Sequence, residues 1–219
     1  MNLDFSQIVP YIPFIIKGIW ATLKFVIVSI IFGFALGTCL ALFKISRIKV
    51  LKWFADFYTS IFRGTPLILQ LMIIYFAVPQ LTGYDISTFL SAILAFGLNS
   101  SAYVSEIIRA GIQAVDKGQT EAAQALGIPY RLMMKDLIMP QALKNILPAL
   151  MNEFISLTKE SAIVSTIGYL DLMRRATVVG SKIYRNFEPL IFVGLIYWAM
   201  VLILTLLGKL LERRMKYSD

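Results

Sequence analysis

Three residues in "NEFISLTKES", Glu153, Ser156 and Glu160, have types and spacing that point to chemistry in this 219-residue chain. On a helix of 3.6 residues per turn, positions seven apart are nearly eclipsed, so the two carboxylates share one face and Ser156 sits on the adjoining stripe. Lys159 projects roughly 100° away from Glu160 and does not neutralise it along that stripe. The run lies in a strongly apolar segment, where a charged side chain costs at least about 2.5 to 3.5 kcal/mol. Acids kept at that depth border a pathway and meet an ammonium or a basic side chain, or else they pair with Arg or Lys on neighbouring helices. An acid and base pair for an intramembrane reaction is a third use of the same face, but no nucleophile or metal site accompanies it.

Arg63 in "FRGTPL" precedes a break at Gly64 and Pro66, where freed backbone groups are tolerated only against protein or a wet cavity. Its guanidinium suits a carboxylate ligand held bidentately, or a partner such as Asp56 one heptad earlier. Asn99, with Ser100 and Ser101, offers hydrogen bonds either to a polar ligand or across a helix interface. Glu106 and Arg109, three apart, suit a same-face ion pair of structural or gating use. The sequence contains no histidine and a single cysteine, Cys39. That removes the commonest transition-metal ligand, the usual general base and any internal disulfide, and no metal site is expected.

The elements that must position these residues are apolar spans. Hydrophobic residues make up 58% of the chain and charged residues 16%. A helix needs about 20 apolar residues to cross a hydrocarbon core of about 30 Å, so this length holds several spans and no separate soluble domain. Runs bounded by charge and proline predict five, over residues 12–43, 53–78, 86–108, 143–167 and 189–211. Each must be a helix, because lipid offers no partner to an unpaired backbone group and no period-2 alternation suits a barrel. The predicted fold is all-α, one transmembrane domain over residues 1–219. "MNLDFSQIVPYIPF" is acidic and the following run is too long for a signal-peptide core, so the first span is expected to stay in place.

Lys and Arg set the orientation. With the C-terminus inside, "KISRIKVLK", residues 109–144 and "GKLLERRMKYSD" carry thirteen of the 21 basic residues, whereas "PQLTGYD" after the second span carries none. Arg174, Arg175, Lys182 and Arg185 fall outside. The expectation is N-out, C-in. The net charge of +8 thus clusters at span ends as a topology signal, and no nucleic-acid partner is expected. No clear internal repeat divides the chain, so a pathway is expected to form between it and a second copy or close relative.

The longest inner connection, residues 115–140, is rich in strong helix formers, then has Gly127 where a helix end tolerates φ > 0 and Pro129 in the first turn of the next helix. By composition it is a helical hairpin that connects two spans. Its pattern of Glu121, Ala122, Ala123, Gly127, Pro140, Gln141, Leu147 and Pro148 resembles the EAA signature of permease subunits in ABC importers. "FRGTPLILQLMIIYF", "SAYVSEIIRAGIQAVDKGQTEAAQALG" and "MPQALKNILPALMNEFISLTKESAIVSTIG" agree with it in order and spacing, and together resemble the polar amino acid permease family.

The resemblance implies a subunit of an ATP-driven importer of polar amino acids, with basic ones included, in the cytoplasmic membrane of a prokaryote. It implies a coupling helix, with Glu121, Ala122, Ala123, Leu126, Gly127 and Arg131 at the surface that docks on a cytosolic ATPase over Gln119 to Met134. ATP and Mg would sit on that ATPase, since no G-x-x-x-x-G-K-[ST] pattern is present and no cofactor is expected on this chain. An extracytoplasmic amino acid-binding protein would deliver substrate. The family pattern commonly has Asp where this chain has Glu160, and the stretch around it is common to the family whatever its substrate. The rival readings are an ion-coupled transporter, in which the carboxylates carry protons, and an intramembrane enzyme.

Overall fold

The computed structural model describes residues 3–216. Met1, Asn2, residues 217–219 and the side chains of residues 215 and 216 lie outside that description, and with them Lys216 and the end of the basic tail. A short 3-10 turn, Phe5–Tyr11, leads into α1, Ile12–Ile45. The chain continues through α2 (Lys49–Gly64), α3 (Leu67–Met72), α4 (Val78–Thr82), α5 (Thr88–Gln113), α6 (Lys117–Ala125), α7 (Tyr130–Leu132), α8 (Met139–Glu160), α9 (Leu172–Ile183) and α10 (Phe187–Lys216). No strand occurs among the described residues.

Among the described residues three helical stretches are long and apolar enough to cross a membrane: Phe5–Ile45, Thr88–Gln113 and Phe187–Arg214. They contain the expected first and fifth spans, and the third except for its first two residues, 86 and 87, which precede the helix. The expected second span, 53–78, is not one helix. It divides into Lys49–Gly64 and Leu67–Thr82, which meet at 101° and together make a fourth candidate. Pro66 explains the break, because it disfavours α geometry at Thr65, whose backbone is extended at φ −121° and ψ 148°. The expected fourth span, 143–167, also departs from a straight helix. Its α-helical part ends at Glu160, tightens into a 3-10 turn over Ser161–Ile167, and stops at Gly168 in the left-handed region.

Two proline rings are carried inside continuous helix by a common device. The π-helical turn Ile73–Ala77 precedes Pro79, and the π-helical turn Met133–Ile138 precedes Pro140. A proline cannot bond the carbonyl four residues back and its ring crowds that group, so a widened turn just upstream makes room. The helix beginning at Tyr130 therefore does not stop at Pro140, the limit of the expected connection 115–140, and runs on into α8.

The core of the bundle is the packing of α1 along α5. Ser29, Gly33 and Gly37 recur every four residues on the buried face of α1. A Cβ on Gly33 would stand 2.9 Å from Ser100 Cβ, and one on Gly37 would stand 2.7 Å from Val104 Cβ. Small residues at this period let two backbones approach closely where lipid provides no hydrophobic drive. Phe25, Phe96, Leu71 and Leu157 pack above the seam into one apolar cluster.

Charge fastens one end of the bundle. Lys44 of α1 is buried and donates to Asp56 Oδ1 at 3.0 Å, Thr59 Oγ1 at 2.8 Å and Glu106. Arg109 grips the second Glu106 oxygen through Nε at 3.0 Å and Nη2 at 2.6 Å. Two cations thus meet two carboxylates across α1, α2 and α5, and Tyr58 adds a bond to Leu98 O at 3.0 Å. The expected Glu106–Arg109 pair forms as part of this larger cluster. At the opposite end Asp171 caps α9 by accepting from Arg174 N at 2.8 Å and Met173 N at 3.2 Å, while Leu172 N donates to Thr22 Oγ1 of α1.

Replacing Gly37 by leucine inserts four heavy atoms into the α1–α5 seam. The expected cost is about 3 kcal/mol or more, read as a lowered unfolding midpoint in detergent. An unchanged midpoint would show that these helices are not held at this separation.

Candidate functional site

The site begins at the bend. Where α2 stops, its last carbonyls lose their helical partners, and in lipid each such group must find another. Gln70, buried one turn into α3, donates through Nε2 to Phe62 O at 2.9 Å, Thr65 O at 3.1 Å and Thr65 Oγ1 at 2.8 Å. Asn99 of α5 donates to the same Phe62 O at 2.9 Å and to Gln70 Oε1 at 3.0 Å. Two side-chain amides therefore clamp the corner and tie it to α5. Beyond it, the first backbone bond into the new helix comes from Gln70 N to Pro66 O at 3.2 Å. The amides of Leu67 and Ile68 precede it at the positive end of the helix dipole.

A cleft of about 450 Å³ opens beside this corner. Residues 65–68 form one wall, Asn99 and Tyr103 of α5 a second, and Glu153, Ser156 and Glu160 of α8 the third. The helical arithmetic thus holds, with both carboxylates and the hydroxyl facing one space. Glu153 is half-buried and Glu160 exposed. Among the described residues neither acid forms an ion pair, and the interhelical pairing open to them in the sequence is not seen there.

Arg63 is not in a wall of the cleft. Its guanidinium lies over the ring of Tyr103, 5.3 Å from the ring centre, and that tyrosine is in a wall. The Asp56 partner considered for it is taken by Lys44. Asn99 borders the cleft, yet its amide hydrogens are committed to the corner. Gln70 and Tyr103 went unremarked in the sequence. The signal for Gln70 was present, since a lone amide four residues after a proline break in an apolar run has freed carbonyls within reach.

The second feature is the hairpin of α6 and α7. Asp116 caps α6 through Gly118 N at 2.6 Å. Gly127, at φ +69°, turns the chain, with Gly127 N bonding Gln124 O and Ile128 N bonding Ala123 O, each at 3.0 Å. Glu121, Ala122, Leu126, Gly127 and Arg131 are all exposed, Leu126 at 78%. Ala123 differs. It is 2% exposed and packs with Val115, Met133, Ile138, Ala142 and Ile146. Of the two alanines only Ala122 is open at the surface, and Ala123 packs the hairpin against the chain's own α8.

Residues 29–217 match the family of binding-protein-dependent transport system inner membrane components. The chain belongs to that family. It is 61% identical, over the full length of both chains, to the arginine transport system permease protein ArtQ of Bacillus subtilis (strain 168). It is 52% identical to the putative glutamine transport system permease protein GlnP of Rickettsia bellii (strain RML369-C), covering 95% of this chain and 96% of the relative. Among solved structures, an amino acid ABC transporter with histidines superposes at a TM-score of 0.94 with 49% identity, over 98% of this chain and all of the other. An inward-facing MetNI methionine ABC transporter shares the fold at a TM-score of 0.81 and 21% identity, over 94% of this chain and 98% of the other. The chain is a membrane-embedded permease of an ABC importer, and ATP hydrolysis belongs to a separate subunit.

The amide clamp gives this permease a testable weak point. Gln70→Leu keeps the volume and leaves the Thr65 carbonyl without its partner, an expected loss of about 1 to 3 kcal/mol. Thermal unfolding of the purified protein checks it, and an unaltered midpoint would mean that the bend does not need the amide.

Proposed function

We propose that this permease carries polar amino acids, basic ones above all, into a prokaryotic cell across the cytoplasmic membrane. The observation that supports this reading is the cleft, where two carboxylates without an ionic partner face the start of a helix. An amino acid brings matching charges. Its ammonium and any basic side chain would meet Glu153 and Glu160, Ser156 would donate or accept beside them, and its carboxylate would meet the Leu67 and Ile68 amides. Arg63, over the Tyr103 ring, adds positive potential near the cleft. Asn99 would serve substrate by fixing the corner.

In this reading the chain has five spans, N-out and C-in, with the bent α2–α4 segment as the second and α8 as the fourth. Two permease subunits, two copies or a copy and a close relative, enclose the pathway. Two ATPase subunits carrying ATP and Mg dock on Gln119 to Met134, and an extracytoplasmic binding protein delivers substrate. The movement that links them is mechanical. Ala123 on the hairpin and Ile146 on α8 share one packed cluster, so α6 and the first half of α8 move as one body. Glu160 lies roughly 21 Å farther along α8 at 1.5 Å per residue, so a tilt applied at the hairpin reorients the carboxylates. Alternating access follows from that lever.

Reconstitution with the ATPase and binding-protein partners tests the reading. ATP-dependent uptake is expected with no ion gradient, whereas gradient-driven uptake by this chain alone would overturn it. Glu160→Gln is expected to weaken uptake of arginine roughly tenfold more than uptake of glutamine, because only arginine has a side-chain charge to lose a partner. Equal losses would mean that this carboxylate does not read the side chain.

Glu121→Ala is expected to leave folding intact and to lower uptake per ATP hydrolysed by roughly fivefold or more, in the range of a typical coupling energy. Uptake per ATP equal to wild type would remove Glu121 from coupling.

A further inference from the structure

The corner between α9 and α10 holds a residue that no internal contact explains. Tyr184 is the one non-glycine with positive φ among the described residues, at φ 55° and ψ 31°. The backbone there closes α9 in the usual left-handed manner, with Tyr184 N bonding Gly180 O and Arg185 N bonding the same carbonyl at 3.0 Å. That closure asks for glycine or asparagine, since a left-handed backbone brings a Cβ too near the following carbonyl. The chain carries a tyrosine instead, and its side chain is not repaid by packing, being 94% exposed. Strain maintained at an exposed aromatic points outward, to a partner.

The surroundings say which kind. Arg174, Val178, Ser181 and Lys182 form the exposed stripe of α9, at spacings of four, seven and eight residues, and three of the four are polar. Lys182 Nζ lies 4.9 Å from the Tyr11 ring centre, which holds this stripe to the start of the chain. A lipid tail would meet an apolar stripe, and a tyrosine in the headgroup layer needs no strained backbone. An exposed tyrosine flanked by cations has the composition of a protein-binding hot spot.

Position says whose. Asp4 N and Arg185 Nη1 both bond Glu188 Oε1, at 3.2 and 3.0 Å, in the first turn of α10. About 36 Å along that helix, at 1.5 Å per residue, Glu212 shares a cavity wall with Ala114 and Lys144, beside the α6 hairpin. The Tyr184 corner and the hairpin are therefore at opposite ends of the protein. Resting on the reading given under Proposed function, we infer that Tyr184, with Arg174 and Lys182, is a docking epitope for the extracytoplasmic binding protein, received by a pocket with an acidic rim.

The complete transporter in nanodiscs tests this against the arginine-loaded binding protein of the same system. Tyr184→Gly and Tyr184→Asn both suit the left-handed backbone. Each is expected to weaken binding at least tenfold while the unfolding midpoint stays level or rises, and Arg174→Glu is expected to weaken it similarly. Undiminished affinity in the Tyr184 variants, beside a wild type that binds, overturns the epitope alone. The same result accompanied by a new dependence of uptake on phosphatidylglycerol over phosphatidylcholine overturns it in favour of lipid. ATP-driven uptake by wild type with no binding protein present would overturn the parent reading and the epitope with it.

Discussion

The constraint on which the site depends is that a broken helix inside a membrane must still satisfy its backbone. At the corner after Gly64 the carbonyls of Phe62 and Thr65 have no helical donor, and water cannot be counted on to replace it. Gln70 and Asn99 supply the donors. Because Asn99 also bonds Gln70, the corner is fastened to α5, and α5 is fastened to α1 by the glycine seam. The cleft is bounded by this chain of attachments, so its shape follows from hydrogen-bond accounting at one turn.

The α6–α7 hairpin follows a different logic. Its outer surface is exposed, while one methyl group, that of Ala123, inserts into the cluster that α8 shares. Alanine suits both needs, being a strong helix former and small enough to seat α6 against the bundle. The arrangement divides labour between adjacent residues, with Glu121 and Ala122 outward and Ala123 inward. The two π-helical turns matter here too, because they let Pro79 and Pro140 sit within rods that stay continuous, as the proposed lever requires.

Much of this was legible in the sequence. The spacing of Glu153 and Glu160 decided their shared face, since local helical geometry suffices for residues two turns apart. The helix, glycine turn and second helix of the coupling stretch were legible for the same reason. The fate of Arg63 was not, because the sequence offered Asp56 several cations and only the crossing of α1 over α2 gives it to Lys44. The 101° bend was readable as a break at Pro66 but not as an angle, which depends on where Gln70 and Asn99 can reach. The end of α8 at Glu160 was hidden as well, since nothing in "SAIVSTIG" except its final glycine marks a change from α to 3-10 turns.

The clamp at the corner also has a bearing on acidity. Its members are amides, which neither gain nor lose protons over the range in which carboxylates do. The corner therefore keeps its donors and acceptors in acid and in alkali, while the two carboxylates across the cleft remain open to titration. Acidification therefore leaves untouched the joint that shapes the cleft.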